Sequence, residues 1–186
     1  MRMIFVMVGL LIAGLVAWYE FSPLYTLNEM RKAAAAGNTI KLSNWVDYEA
    51  LKIDMKGELR REILLSANRS GLADTPIGKF GADLAVALVP AGVELVVTPE
   101  AIQAMFDATG PANAGGRGFG VLAKDGVAIM PVGIPKKNVK IERIGLSEFK
   151  VSVKGKPGAA IFRRHGWSWK LAGVDMPYRF GPSTPL

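Results

Sequence analysis

The sequence predicts an α+β protein, in which an N-terminal transmembrane helix precedes several helices packed on a C-terminal antiparallel meander sheet. Three observations predict this architecture. Residues 1–21 are almost wholly apolar, residues 22–110 carry apolar positions about four apart, and residues 111–177 alternate apolar with polar positions. Because no repeat or low-complexity linker divides the rest, we expect one domain over 22–186, with 178–186 as a loose tail.

Residues 1–21 are interpreted as a membrane anchor or signal segment. Arg2 is the only charged side chain before Glu20, and the apolar run just reaches the roughly 17 residues that a spanning helix needs. Signal cleavage requires small residues in an Ala-x-Ala-like pattern, and the nearest candidates place a leucine there, so a permanent anchor is favoured over a cleaved signal. Three aromatic residues stand where an interfacial belt would end the span: Trp18, Tyr19 and Phe21.

The short N-terminal side of the span is expected to stay in the cytoplasm. It carries only Arg2 and the amino terminus, against Arg31 and Lys32 further along the chain. For a single-pass protein of a bacterial inner membrane, the main domain would then be periplasmic. The alternative is secretion to the periplasm after signal cleavage, and the absence of cysteine permits either compartment.

The helical half has recognisable boundaries. A first helix is expected over 24–36, opened by Ser22-Pro23 and ended by Gly37-Asn38, which tolerate a left-handed C-cap. A short helix over 39–45 follows, and Asp47 offers the N-cap of a long one. That long helix carries one apolar stripe at four-residue spacing: Leu51, Met55, Leu59 and Ile63.

Residues 81–97 are apolar enough to resemble a second span. Asp83, Pro90 and Glu94 interrupt them, and one central charge costs at least about 2.5 kcal/mol in a membrane. Their spacing instead predicts a helix packed in the core, after which Pro99 begins another helix. The residues expected on the buried face are Leu84, Leu88, Ala91 and Leu95.

The later part of the chain predicts half-buried strands. Phe149, Val151 and Val153 alternate with polar residues, and Trp167 and Trp169 alternate in register with a following leucine, so both tryptophans are expected in the core. Turn residues separate the strands at 124–126, 155–158 and 164–166.

Three segments carry a family resemblance: SPLYTLNEMRKAAAAGN, NWVDYEALK and GWSWKLAGVDMP. They resemble a family of uncharacterised bacterial membrane-anchored proteins catalogued as a domain of unknown function. The resemblance covers most of 22–177 and departs at Asn38, where the family tends to have Asp; both residues cap helices. It implies no activity and no catalytic residue. Its order of helices before a curved sheet is similar to the cone-shaped rolls of the nuclear-transport-factor-like and cystatin-like groups, an analogy of fold alone.

The residues that could do chemistry are few. One histidine and no cysteine exclude zinc sites built on His/Cys clusters and leave no thiol nucleophile, so no cofactor, metal site or catalytic residue is predicted. His165 is interpreted as an exposed turn residue, and Asp47 and Glu49 as a cap and a first-turn acid. Glycine motifs at 118–123 and 117–120 imitate dinucleotide-binding and RNA-binding signatures but lack their context, so nucleic acid is not expected as a partner.

Positive charge is concentrated late in the chain. Residues 1–110 carry 10 Lys/Arg against 12 Asp/Glu, whereas residues 111–186 carry 13 against 4. These cations either form a solvated outer face of the sheet or contact an anionic lipid surface or an acidic protein. The candidate contacts are Lys136, Lys137, Lys140, Arg143, Lys150, Lys154, Arg163 and Arg164.

Two hypotheses of function follow. The first is a non-enzymatic, membrane-tethered extracytoplasmic module that binds a protein, the envelope or lipid through its basic sheet. The second is a domain that binds or processes a small hydrophobic molecule in a pocket between sheet and helices. The first is favoured because these residues assemble no catalytic set, although an enzyme is not excluded.

Overall fold

Helices precede an antiparallel sheet, which confirms the predicted α+β class. The computed structural model describes residues 2–108, 138–154 and 158–176. The helices are α1 (Arg2–Ala35), α2 (Thr39–Ser43), α3 (Tyr48–Arg69), α4 (Pro76–Val96) and α5 (Pro99–Ala108), with a 3₁₀ turn at Leu72–Asp74. The strands are β1 (Val139–Ile144), β2 (Glu148–Val153), β3 (Ala159–His165) and β4 (Ser168–Asp175). The predicted turn at 124–126, the glycine motifs, most of the turn at 155–158 and the tail lie outside the described residues.

The apolar run and the first predicted helix form one continuous helix. α1 is 34 residues long with Pro23 inside it, so the predicted helix start at residue 24 is wrong. Among the described residues it is the one helix long and apolar enough to cross a membrane. Its first half projects from the domain with exposed apolar side chains, whereas Met30, Ala33 and Ala34 near its end are buried.

The predicted helix caps are confirmed. Gly37 has a positive φ of 61°, and the N–H groups of Gly37 and Asn38 donate to the carbonyls of Ala34 and Ala33, which closes α1. Local hydrogen bonds of this kind need no distant partner. The Asp47 carboxylate likewise accepts from the N–H of Ala50 at 3.1 Å and caps α3.

The sheet is an antiparallel meander in the order β1-β2-β3-β4. The segment just before α3 adds a short parallel contact beside β4. There the N–H of Asp47 donates to the Leu171 carbonyl, and the N–H of Leu171 donates to the Trp45 carbonyl, both at 2.8 Å. The helical half is therefore hydrogen-bonded to the sheet at the point where α3 begins, and α3 runs along β4 from there.

Large apolar side chains fill the space between helices and sheet. Phe149 and Phe162 stack with ring centroids 4.8 Å apart, and Trp169 meets Phe149 edge-on at 5.0 Å. Leu42 from α2 and Leu171 from β4 are completely buried beside them. This packing confirms the core role predicted for Phe149 and Trp169.

The stripe of α4 that was predicted as buried is exposed. Leu84, Leu88 and Leu95 face outward, as does Ala91, whereas Val89 and Val93 form the buried side. α4 packs against α3 through this narrower valine face. Because the helix is apolar on both faces, four-residue spacing alone does not identify which face is buried.

The expectation that Trp167 lies in the core is also wrong. β3 extends to His165 and β4 begins at Ser168, so Gly166 and Trp167 form a two-residue turn. Gly166 takes the positive φ, 62°, that such turns require. Trp167 therefore lies outside the strand register and 78% of its surface is exposed, whereas Trp169 is buried.

Candidate functional site

A proline in α1 creates the acceptor that joins this helix to the sheet. Pro23 has no N–H, so the Tyr19 carbonyl four residues earlier loses its helical hydrogen bond. That carbonyl accepts from the Ser22 hydroxyl at 2.8 Å and from Arg143 Nη2, on β1, at 2.6 Å. Arg143 Nη2 also donates to the Glu20 carbonyl at 3.2 Å. The helix continues through the proline because side chains replace the missing donor.

A second hydrogen bond reaches the same place from the core. Trp169 Nε1 donates to Ser22 Oγ at 2.8 Å, and the Ser22 hydroxyl in turn donates to Tyr19. Trp169 itself is packed against Phe149. The position of α1 is thereby linked to the most buried part of the sheet.

Ring stacking and charge complete this contact. The Arg143 guanidinium lies 4.1 Å from the Tyr19 ring centroid, and its Nε is 3.6 Å from the Glu20 carboxylate. The Tyr19 hydroxyl donates to the Leu146 carbonyl at 3.0 Å, in the β1–β2 turn. We call this group the anchor–sheet junction: Tyr19, Glu20, Ser22, Pro23, Arg143 and Trp169.

Two β-turns lie beside the junction. We define the hairpin tips as Gly145, Leu146, Gly166 and Trp167. Tyr19 contacts the first turn through Leu146, and Arg164 links it to the second, lying 5.4 Å from the Tyr19 ring and 5.9 Å from the Trp167 ring. Leu146 and Trp167 are each 78% exposed. Both turns therefore lie where the apolar half of α1 leaves the domain.

An apolar groove lies at the opposite end of α3. It has a volume of about 1060 Å³ and is lined by the second half of α3, the 3₁₀ turn and the start of α4. Its main polar group is the Glu62 carboxylate, which is buried and accepts from Arg69 Nη2 at 2.7 Å. Gly78 allows the close approach of α4, because a Cβ there would overlap the Leu72 carbonyl. The residues on its walls include Leu59, Ile63, Ala67, Ile77, Gly81 and Ala82.

The predicted pocket location differs from this one. The groove is formed by helices, whereas the second hypothesis placed a pocket between helices and sheet. The exposed α4 residues Leu84 and Leu88 lie further along the helix from the groove. The groove and this stripe together give the α3–α4 hairpin an extended apolar surface.

The basic residues predicted as anionic contacts are spread over several environments. Lys150 Nζ lies 2.7 Å from Asp175, and this hydrogen bond raises the pKa of the lysine. Arg163 lies 3.0 Å from Glu148 and 3.5 Å from Asp54. Lys140 pairs with Glu142 at 3.0 Å, and Lys154 is exposed after β2. Arg143 belongs to the junction, and Arg164 lies beside it. Lys136 and Lys137 lie outside the described residues. The anionic partner stays a prediction.

Titratable groups near the sheet have structural partners. His165 Nδ1 lies 3.6 Å from the Asp47 carboxylate, but Asp47 also caps α3. His165 is exposed as predicted, but it ends β3, so the predicted turn at 164–166 is wrong and the turn is formed by 166 and 167. Ser168, the nearest hydroxyl in sequence, donates to the His165 backbone carbonyl. Burial raises the pKa of Glu58. Within the part of the chain that the structure describes, no group of three His, Cys, Asp or Glu side chains could hold a metal ion.

An ion cluster holds α4 on α3. Glu94 accepts from Lys52 at 2.5 Å and from Lys56 at 2.7 Å, and these two hydrogen bonds lower the pKa of Glu94 to about 2. Glu94, one of the two acids that interrupt the apolar run of residues 81–97, therefore pairs with α3. This pairing places the C-terminal half of α4 beside the N-terminal half of α3.

The anchor–sheet junction and the groove were both missed from the sequence. Pro23 was interpreted as a helix start, and Arg143 as a surface cation. A proline beside an uncharged polar residue, in a helix that changes from apolar to polar, indicates that the carbonyl four residues earlier lacks its helical hydrogen bond. This pattern does not identify the side chain that donates to that carbonyl. The turn position of Trp167 was signalled by the preceding glycine alone.

A family of proteins described as Protein of unknown function (DUF2939) matches residues 12–105, just over half of the 186-residue chain. The match begins within the apolar run and ends in α5, so it contains the helical half. The predicted resemblance to a domain of unknown function is confirmed there, and the closing strand lies beyond the matched residues. No curated protein and no solved structure matches the chain.

Proposed function

We propose that the chain, which belongs to the family of unknown function DUF2939, is a single-pass membrane-anchored binding module of bacteria with its main domain in the periplasm. The supporting observation is the form of α1. One continuous helix carries an exposed apolar half and a half packed in the domain. Large apolar side chains exposed around the whole circumference of a helix are stable in lipid and costly in water.

A binding role is favoured over catalysis by how the polar side chains are used. Asp47 caps a helix, Glu62 pairs with Arg69, and Arg143 satisfies a backbone carbonyl. Each of these groups has a structural reason for its position. The module therefore holds binding surfaces at a membrane, and the envelope or a membrane protein supplies the ligand.

The absence of cysteine makes the orientation testable with single cysteines. Ile77→Cys places an exposed thiol on the domain, and a cysteine inserted between Met1 and Arg2 places one before the span while keeping Arg2. A membrane-impermeant maleimide applied to spheroplasts should label position 77 and should label the inserted cysteine only after lysis. Reversed labelling would contradict the periplasmic orientation, and a soluble product lacking residues 1–21 by mass would establish secretion instead.

A second candidate function is binding of a small hydrophobic molecule in the α3–α4 groove. The supporting observation is the groove itself, whose volume of about 1060 Å³ is at the upper end of typical ligand sites. An elongated acyl chain would contact the apolar walls, with the Glu62–Arg69 pair as the polar group at hand.

Two glycines of α4 provide a matched test of this candidate. Gly81 lines the groove and Gly92 does not, and a Cβ at either position meets no atom within 4 Å. Gly81→Leu should therefore occupy the groove without strain, and it should abolish binding of a fluorescent fatty acid, whereas Gly92→Leu should leave binding intact. Equal binding by both variants and the native protein would exclude the groove as the site.

A further inference from the structure

The hairpin tips carry large apolar side chains where turn chemistry does not require them. Tight hairpin turns favour Gly, Asn, Asp and Ser, yet the three-residue β1–β2 turn presents Leu146 and the two-residue β3–β4 turn presents Trp167. Both are 78% exposed. They belong to different hairpins, β1–β2 and β3–β4, but both turns lie at the same end of the sheet.

The tips are held at a defined level along α1. Tyr19 donates to the backbone of Leu146 at 3.0 Å, and Arg164 connects Tyr19 with Trp167 through ring contacts. The junction, with Arg143 donating to the Tyr19 carbonyl at 2.6 Å, fixes this level. The tips therefore lie beside the residue at which the apolar run ends.

The length of the apolar run places this level at the bilayer boundary. Residues 3–18 cover about 24 Å as an α-helix, because each residue advances about 1.5 Å. This is close to the hydrocarbon thickness of about 30 Å, so the span ends at its aromatic belt, near Trp18 and Tyr19. Tyr19, and with it the hairpin tips, therefore lies near the boundary between hydrocarbon and headgroups.

The side chains at the tips suit an interfacial layer. Tryptophan is enriched at headgroup level, where its ring is apolar and its N–H remains solvated. Arg164 lies 5.9 Å from the Trp167 ring and supplies a cation beside the tips, while the nearby acids Glu20 and Glu148 are paired with Arg143 and Arg163. The surface therefore combines apolar tips with an arginine beside them.

We propose that the hairpin tips are a lipid-contacting surface, so that Leu146 and Trp167 enter the interfacial layer of the membrane that holds α1. This inference rests on the membrane anchor of the proposed function. The membrane that the tips contact is the one that holds α1, because the apolar half of α1 is continuous with Tyr19, to which the tips are linked. The domain then contacts the bilayer at three points, the end of α1 and the two turns.

Single-cysteine variants of the full chain test this surface. Leu146→Cys and Trp167→Cys, each labelled with an environment-sensitive fluorophore, are reconstituted in phosphatidylcholine vesicles that contain lipids brominated on their acyl chains. Leu10→Cys reports the span. Phe80→Cys, 71% exposed and outside the lining of the α3–α4 groove, is the matched control. Position 80 follows α3, which starts beside the His165 end of the sheet and runs 22 residues, about 33 Å, away from it.

We expect lipid quenching at positions 10, 146 and 167 and none at 80. Quenching at position 10 without quenching at 146 and 167 would overturn the inference and leave the anchor intact. No quenching at position 10 would overturn the proposed anchor itself. Quenching at 80 as well would show a domain lying flat on the bilayer, which would overturn the tips as the contact surface.

Discussion

Replacing Arg143 with methionine tests whether a proline-freed carbonyl couples α1 to the sheet. The substitution keeps an unbranched side chain and removes the guanidinium. Three interactions are lost together: the hydrogen bonds to the carbonyls of Tyr19 and Glu20, the stacking on the Tyr19 ring, and the ion pair with the Glu20 carboxylate.

The expected cost is about 3 kcal/mol of unfolding free energy. A hydrogen bond from a charged donor contributes about 1.5–3 kcal/mol, and the cation–π contact adds about 0.5–1 kcal/mol. The ion pair adds less than about 1 kcal/mol because Glu20 is mostly exposed. These contributions overlap, since one guanidinium makes all three.

Pro23→Ala supplies the partner needed for a double-mutant cycle. Residue 23 then has an N–H for the Tyr19 carbonyl, so Arg143 is no longer the donor on which that carbonyl depends. In this background Arg143→Met should cost only about 1.5 kcal/mol, a coupling of about 1.5 kcal/mol between the two positions.

Urea unfolding of the full-length protein in nonionic detergent, followed by near-ultraviolet circular dichroism, measures all four variants. Lys140→Met is the charge-matched control. Lys140 pairs with Glu142 on the exposed surface of the same strand, so its loss should cost less than about 1 kcal/mol. Additivity of the Pro23 and Arg143 changes within about 0.5 kcal/mol would refute the reasoning.

Three further predictions concern the core and the α3–α4 hairpin, each measured by the same unfolding assay. Phe162→Ala should cost about 3–5 kcal/mol, because this buried ring stacks on Phe149 at 4.8 Å. Gly78→Ala should cost about 1–3 kcal/mol through overlap with the 3₁₀ turn, whereas Gly81→Ala, with open space around it, should stabilise by about 0.5–1 kcal/mol. Glu94→Gln should destabilise slightly at pH 7. Because the folded pKa of Glu94, about 2, is below its ordinary 4.5, this difference should be complete above pH 4.5 and disappear as the pH falls through 2.

The parts of the fold that could be predicted are those fixed by neighbours in sequence. Gly37 and Asn38 end α1 through bonds to residues three and five positions earlier, and Asp47 caps α3 through a residue three positions later. The alternation around Phe149 and Trp169 identifies the core side of the sheet, because strand side chains point to opposite faces in turn. Each of these features depends on residues that are close together in the sequence.

What could not be predicted depends on contacts distant in sequence or on a choice between similar alternatives. Arg143 finds the Tyr19 carbonyl across 124 positions, which no local pattern encodes. α4 has two apolar faces, and only the geometry of α3 selects Val93 over Leu88 for burial. The sequence around Trp167 is compatible with a strand and also with a turn. The turn forms because Gly166 can adopt a positive φ.

The position of Pro23 also explains how the sheet is oriented on α1. A proline inside a helix costs about 3 kcal/mol in part because a carbonyl loses its donor. At Tyr19 the replacements are Ser22, from the helix itself, and Arg143, from the sheet. Since the freed carbonyl faces one side of the helix only, Arg143 can reach it in only one rotation of the sheet about α1. The proline thereby fixes which face of α1 meets the sheet, at the level where the exposed turns carry Leu146 and Trp167.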